Sequence, residues 1–156
     1  MSIATGQKAP DFTLYNDEKN PVTLSEQRGK NVLLLFFPFA FTGTCTKELC
    51  SVRDNIAIYN DLNATVYGIS VDSVHVLKRY KEDQALNFSL LSDFNREVSK
   101  EYDSQYEIFA LGTKGVAKRS AFVIDKDGIV RYAEVLENAT EIPDFNAIRQ
   151  CLNNLK

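Results

Sequence analysis

The chain has 156 residues, 44% of them hydrophobic, which is enough for one domain with a sizeable core, and a single unit over residues 1–156 is expected. Its 18 Lys and Arg against 21 Asp and Glu give a net charge of −3 with both signs interspersed, which argues against a nucleic-acid binder, and no apolar stretch reaches the roughly 18–20 residues of a membrane span. The N-terminus "MSIATGQKAPDF" lacks the basic-then-apolar pattern of an export signal, and three cysteines do not make a disulfide framework. The expected compartment is a reducing cytoplasm, where paired cysteines are more often catalytic or metal-binding than structural.

Short extended pieces are predicted around Phe12–Leu14 and Val22–Leu24, separated by a turn-rich break from Asp17 to Pro21. "NVLLLFF", Asn31–Phe37, is a continuous apolar run closed by Pro38, the pattern of a strand buried on both faces. A helix is predicted from Thr44 or Cys45 to about Leu62, because Leu49, Val52, Ile56, Tyr59 and Leu62 recur at three- and four-residue spacing. Ala64–Asp72 reads as a second core strand. Asp72 or Ser73 then caps a helix through "VHVLKRYKEDQ". "FSLLSD" is a short strand and "NREVSKEYD" a short helix. "SAFVIDKDGIVRYAEVL" is a hairpin joined at "DKDG". The last segment, "EIPDFNAIRQCLNNL", is an amphipathic helix with Pro143 at its start. Parallel strands need crossovers and a terminal hairpin adds antiparallel edges. The order therefore predicts an α/β protein, a mixed central sheet flanked by helices. A thioredoxin-like fold with an N-terminal extension has this outline.

"FFPFAFTGTCTKELC" raises the chemical question, for it holds Cys45 and Cys50 within one segment. Cys45 follows a buried strand and a loop and opens a helix, where unpaired N–H groups and the positive dipole end favour an anion such as a thiolate. The other reading is a small residue at a helix start. Thr42 can hydrogen-bond a thiol or a bound oxygen, or cap the helix. Pro38 can shield the thiol from water, or merely end the strand. In one intact helix, Cys45 and Cys50 point roughly 140° apart with Cα atoms about 8–9 Å from each other. A disulfide needs less than about 7 Å, so a redox pair here requires unwinding of the first helical turn. Otherwise Cys50 is a packing residue. Zinc is disfavoured, because three cysteines and one histidine, His75, do not form two ligand pairs, and no metal is expected. His75 and Cys151 read as surface or structural residues.

"PFAFTGTC", Pro38–Cys45, resembles the peroxiredoxin active-site motif of proline, three residues, threonine or serine, two residues and cysteine. The likeness covers nearly the whole chain: "GQKAPDFTL" is similar to the family's N-terminal segment, "GISVDS" to the strand after the active-site helix, and "KRSAFVIDKDGIV" to the segment bearing its arginine, here Arg119 rather than Lys118. "CTKELC" resembles the peroxiredoxin Q (bacterioferritin comigratory protein) group, and the loop before it resembles the AhpE-like group.

The resemblance implies a thiol-dependent peroxidase for hydrogen peroxide and alkyl hydroperoxides, without a metal or organic cofactor. It implies that Cys45 is oxidised to a sulfenic acid, that Thr42 and Arg119 hold thiolate and peroxide, that Pro38 shields the sulfur, and that the N–H groups of Thr44 and Cys45 polarise the substrate. It further implies that Cys50 resolves the sulfenic acid as an intramolecular disulfide reduced by thioredoxin or a similar dithiol protein. Glu48 is a supporting residue, paired with Arg119 or Arg53, or a solvated helix glutamate. A one-cysteine peroxidase served by an external thiol, a redox sensor and a thiol–disulfide oxidoreductase are the alternatives. Monomer and homodimer are both compatible with the two groups resembled.

Overall fold

The computed structural model describes residues 3–155. In chain order, an N-terminal hairpin of β1 (Thr13–Asn16) and β2 (Pro21–Thr23) leads through a 3-10 turn to β3 (Asn31–Phe36). Helices α1 (Gly43–Asp54) and α2 (Ile56–Asp61) follow, then β4 (Ala64–Ser70), α3 (Val74–Gln84), β5 (Ser89–Ser92) and α4 (Glu97–Glu101). The chain closes with β6 (Ser120–Ile124), β7 (Val130–Val135) and α5 (Phe145–Asn154).

The seven strands of the described residues form one mixed sheet in the order β2-β1-β5-β4-β3-β6-β7. β3 pairs parallel with β4 and antiparallel with β6, and every one of its residues is buried. Its side chains alternate between two cores, as a pleated strand must. Leu33 and Leu35, with Phe37 just beyond the strand, pack with Leu49 and Val52 of α1, Leu77 and Tyr80 of α3 and Ile148 and Leu152 of α5. Val32, Leu34 and Phe36 pack on the opposite face with Phe12, Val98 and Tyr102. Burying each such side chain contributes about 1.5–3 kcal/mol, so β3 is the strand on which both layers depend. Helices lie on both faces, as the element order predicts, and the N-terminal hairpin extends the sheet by pairing β1 with β5.

Three expectations are corrected. The helix predicted to run to Leu62 is two helices, broken at Asn55, whose φ and ψ are −118° and 17°. The Asn55 side-chain amide donates to the Ser51 carbonyl at 2.8 Å, a local bond of the kind that competes with continued helix. The apolar stripe resumes at Ile56 and Tyr59, so periodicity alone does not reveal the break. Pro143 does not start the last helix: Asp144 caps it, accepting from the Ala147 N–H at 3.1 Å, and the first helical residue is Phe145. The first extended piece is displaced, for the strand begins at Thr13 and Phe12 is buried beneath the sheet.

Candidate active site

β3 ends at Phe36, and the chain then makes a loop, residues 37–42, before entering α1. In the β3–β6 register Phe36 stands opposite Ser120, so Arg119 falls beside the point where that loop begins. Arg119 has the same parity as Ala121 and Val123, which face the core covered by α1. Its side chain therefore leaves the sheet on the side where α1 starts. Pairing of β6 with β7 continues one step beyond the strands, with Leu136 donating to the Arg119 carbonyl at 2.9 Å, and this brings the segment after β7 over the guanidinium.

Four residues of α1 are buried: Cys45, Glu48, Leu49 and Val52, one stripe at three- and four-residue spacing. Two members of that stripe are polar, and Arg119 serves both. Its Nη2 donates to Cys45 Sγ at 3.2 Å and its Nη1 to Glu48 Oε1 at 2.7 Å. Nε and Nη2 also donate to the Ala139 carbonyl at 3.3 and 3.0 Å. Cys45 and Arg119 are each 1% exposed and Glu48 is 0% exposed, so these groups meet out of water, where hydrogen bonds from a cation are strongest. Glu48 Oε2 is buried with no hydrogen-bond partner among the described residues. Burial pushes the Glu48 carboxyl up to about 7; the charge and hydrogen bond of Arg119 pull the other way, and Glu134 adds to the rise.

Thr42 is the N-cap residue of α1, but its side chain does not cap the helix. Its hydroxyl instead donates to the Phe39 carbonyl at 2.8 Å, which leaves the oxygen lone pairs free to accept. Thr44 and Cys45 are the second and third residues of α1, where N–H groups lack intrahelical partners. A pocket of about 160 Å³ opens here, lined by Pro38, Phe39, Thr42, Gly43, Thr44, Cys45, Phe109, Arg119 and Ala139. Every residue singled out above for contact with thiolate or peroxide thus borders one small cavity. Glu48 joins through Arg119, while Arg53 pairs with Asp54 instead.

Cys50 is elsewhere. All three cysteines are free, and Cys50 lies further along the unbroken α1, its Sγ 3.6 Å from Gln84 Oε1 at the end of α3. Cys151 sits against the Arg131 carbonyl at 3.7 Å, remote from the pocket lining. His75, the second residue of α3, borders a different cavity. Among the described residues no group of three or more His, Cys, Asp or Glu could hold a metal ion. Sequence reasoning did not find the Ala139 carbonyl or Phe109. A backbone acceptor carries no residue signature, and Phe109 reaches the site through a long loop. The burial of Glu48 was available from its place in the Cys45–Val52 stripe.

The sequence model of the AhpC/TSA family matches residues 5–133. The chain belongs to the AhpC/TSA family. Alkyl hydroperoxide reductase E of Mycobacterium tuberculosis (strain ATCC 25618 / H37Rv) is 41% identical over 136 residues, covering 85% of this chain and 86% of that one. Peroxiredoxin Q, chloroplastic, of Oryza sativa subsp. japonica is 36% identical over 130 residues, 83% of this chain and 58% of the relative. Among solved structures, peroxidoxin BcpB from Mycobacterium tuberculosis superposes with a TM-score of 0.87 at 29% identity, over 99% of both chains. This AhpC/TSA protein is therefore a peroxiredoxin with a thioredoxin fold, a thiol-dependent peroxidase. No helix among the described residues of the peroxiredoxin is long and apolar enough to cross a membrane.

Proposed function

We propose that Cys45 is the nucleophile of this peroxidase and that hydrogen peroxide and small organic hydroperoxides are its substrates. The observation that carries this reading is the single guanidinium shared between Cys45 Sγ and Glu48 at the floor of a pocket bordered by Thr42. The Cys45 thiolate attacks the hydrogen-bearing oxygen of the hydroperoxide. An S–O bond forms, the O–O bond breaks, and the leaving alkoxide or hydroxide takes a proton to become an alcohol or water. The cysteine is left as a sulfenic acid. Negative charge moves from sulfur to the leaving oxygen, and fixed donors along that path lower the barrier. Arg119 is such a donor, joined by the N–H groups of Thr44 and Cys45. Because the Thr42 hydroxyl hydrogen is directed to Phe39, its oxygen accepts from the peroxide O–H and so selects the oxygen to be attacked. Pro38, Phe39 and Phe109 give the pocket an apolar wall. Its volume admits the peroxy group and a few further atoms, so the rest of a larger hydroperoxide projects outward.

Cys50 then resolves the sulfenic acid: its sulfur attacks Cys45 Sγ, a disulfide forms and water leaves, and thioredoxin or a similar dithiol protein reduces the product. Both cysteines lie in one continuous helix, so this step requires the first turns of α1 to unwind. Intact mass after one equivalent of peroxide tests the scheme. Wild type is expected to lose two hydrogens, Cys50→Ser to gain one oxygen, and Cys45→Ser to remain unchanged. Peroxide consumption by Cys45→Ser at the wild-type rate would overturn the assignment of the nucleophile. Normal thioredoxin-dependent turnover by Cys50→Ser would leave an external thiol as the resolving agent.

A further inference from the structure

We infer that Asp72 is a positioning residue for the peroxidase reaction, acting on Thr42 through a single peptide plane. Asp72 lies just past the end of β4, outside the pocket lining. Its Oδ2 accepts from the Ala40 N–H at 2.7 Å and from the Ser70 hydroxyl at 2.7 Å. Its own carbonyl accepts from Ser92 Oγ of β5 at 2.6 Å, and its N–H donates to Ser70 Oγ at 3.2 Å. Asp72 is thus tied through its backbone and its carboxylate to the ends of two neighbouring central strands, and the carboxylate reaches across to the loop between β3 and α1.

The amide it grips belongs to the same peptide unit as the Phe39 carbonyl, which receives the Thr42 hydroxyl. In a planar trans peptide the N–H and C=O point in opposite directions, so holding one aims the other. Asp72 therefore fixes the plane whose carbonyl takes the Thr42 hydrogen, and the Thr42 oxygen is left facing the pocket as an acceptor. Hydrogen bonds in series also polarise one another, which strengthens the Thr42-to-Phe39 bond when the far end is an anion. The next residue, Phe41, is held at φ 65°, a conformation uncommon for a bulky side chain. A loop with such a residue needs outside contacts, and the Asp72 bond is one of them, beside the packing of Phe41 on Tyr80 and of Phe39 on Phe109.

This inference rests on the proposed role of Thr42, and one set of single-turnover measurements separates the two. The rate of Cys45 oxidation by hydrogen peroxide is measured beside the rate of its alkylation by iodoacetamide, which needs the thiolate but no oriented peroxide. Asp72→Ala is expected to slow oxidation about tenfold, the effect of one well-placed hydrogen bond, with alkylation unchanged within about twofold. Asp72→Asn, whose amide oxygen still accepts from Ala40, is expected to recover most of the rate. In a Thr42→Val background, Asp72→Ala is expected to add nothing, because the group it positions is gone. Equal slowing of oxidation and alkylation, or losses that multiply in the double variant, would overturn the inference. An unchanged oxidation rate in Thr42→Val would instead overturn the reading of Thr42 itself. If Asp72→Ala does not fold, Ser70→Ala removes the other bond to the same Oδ2 and is expected to give a smaller loss of the same kind. Its oxidising at the wild-type rate would count against Asp72.

Discussion

The guanidinium of Arg119 stands 3.2 Å from the sulfur of Cys45, which lies 74 residues earlier in the chain, and the same side chain holds Glu48 at 2.7 Å. One cation therefore serves two groups that can each bear a negative charge. Arg119→Met is expected to lower the rate of peroxide reduction about 100-fold, as loss of a fixed donor to developing charge does elsewhere. It also leaves Glu48 buried without its cation, which is expected to lower the urea midpoint, by less than the loss of a fully ionised pair because burial already favours the protonated carboxyl. Stopped-flow oxidation and urea unfolding separate these effects. The double variant Arg119→Met, Glu48→Gln is expected to regain stability without regaining rate.

Glu48 gives a pH dependence whose sign is fixed. Burial raises its folded pKa from 4.5 to about 7, so over that interval the folded chain keeps a proton that the unfolded chain has released. Stability contributed by this group therefore falls as pH rises from about 4.5 to 7 and is level above it. Urea midpoints of the reduced wild type, taken relative to Glu48→Gln, are expected to decline across that window. A difference that rises with pH would mean that Arg119 outweighs burial.

Tyr80 pins the start of α1 from the side. Its hydroxyl shares a hydrogen bond of 2.8 Å with Thr46, and its ring meets Phe41 at 4.9 Å between centroids. Unwinding of the first turn must break the Thr46 bond. Tyr80→Phe removes it and keeps the ring, so disulfide closure after peroxide treatment is expected to quicken roughly three- to tenfold, the equivalent of one net hydrogen bond. Quenched-flow trapping of free thiols measures that step, and an unaltered rate would show that the bond is not part of its barrier.

Local composition made β3 legible, since a six-residue apolar run before a proline has few other uses. The thiol at a helix start was legible too, because strand, loop and helix follow one another within the stretch from Asn31 to Cys50. Arg119 was not legible from its own surroundings: in "VAKRSAF" it looks like one of two adjacent surface cations. Only strand register aims it at Cys45, and register is a property of three strands at once. Asp72 read as a possible helix cap, yet Ser73 performs that task, accepting from the Val76 N–H at 3.3 Å. The work of Asp72 is done across the sheet on an amide that no residue type announces. The break at Asn55 was hidden for a different reason, because the core requires the same apolar spacing on both sides of it.

That break also limits how far a local rearrangement can spread. Beyond Asn55, Tyr59 of α2 is locked in the core, and the far half of α1 is tied down by Arg53, whose Nη1 donates to the Gln84 carbonyl at 2.6 Å. Fraying that begins at Gly43 meets this anchor and then a discontinuity, so helical cooperativity cannot carry it into the sheet. Amide hydrogen exchange in the oxidised protein is expected to accelerate over residues 43–50 and to stay slow over residues 56–61. The chain is divided into a segment that can melt and a frame that keeps its shape, and a reductant would meet a newly mobile strip of backbone on an otherwise native surface.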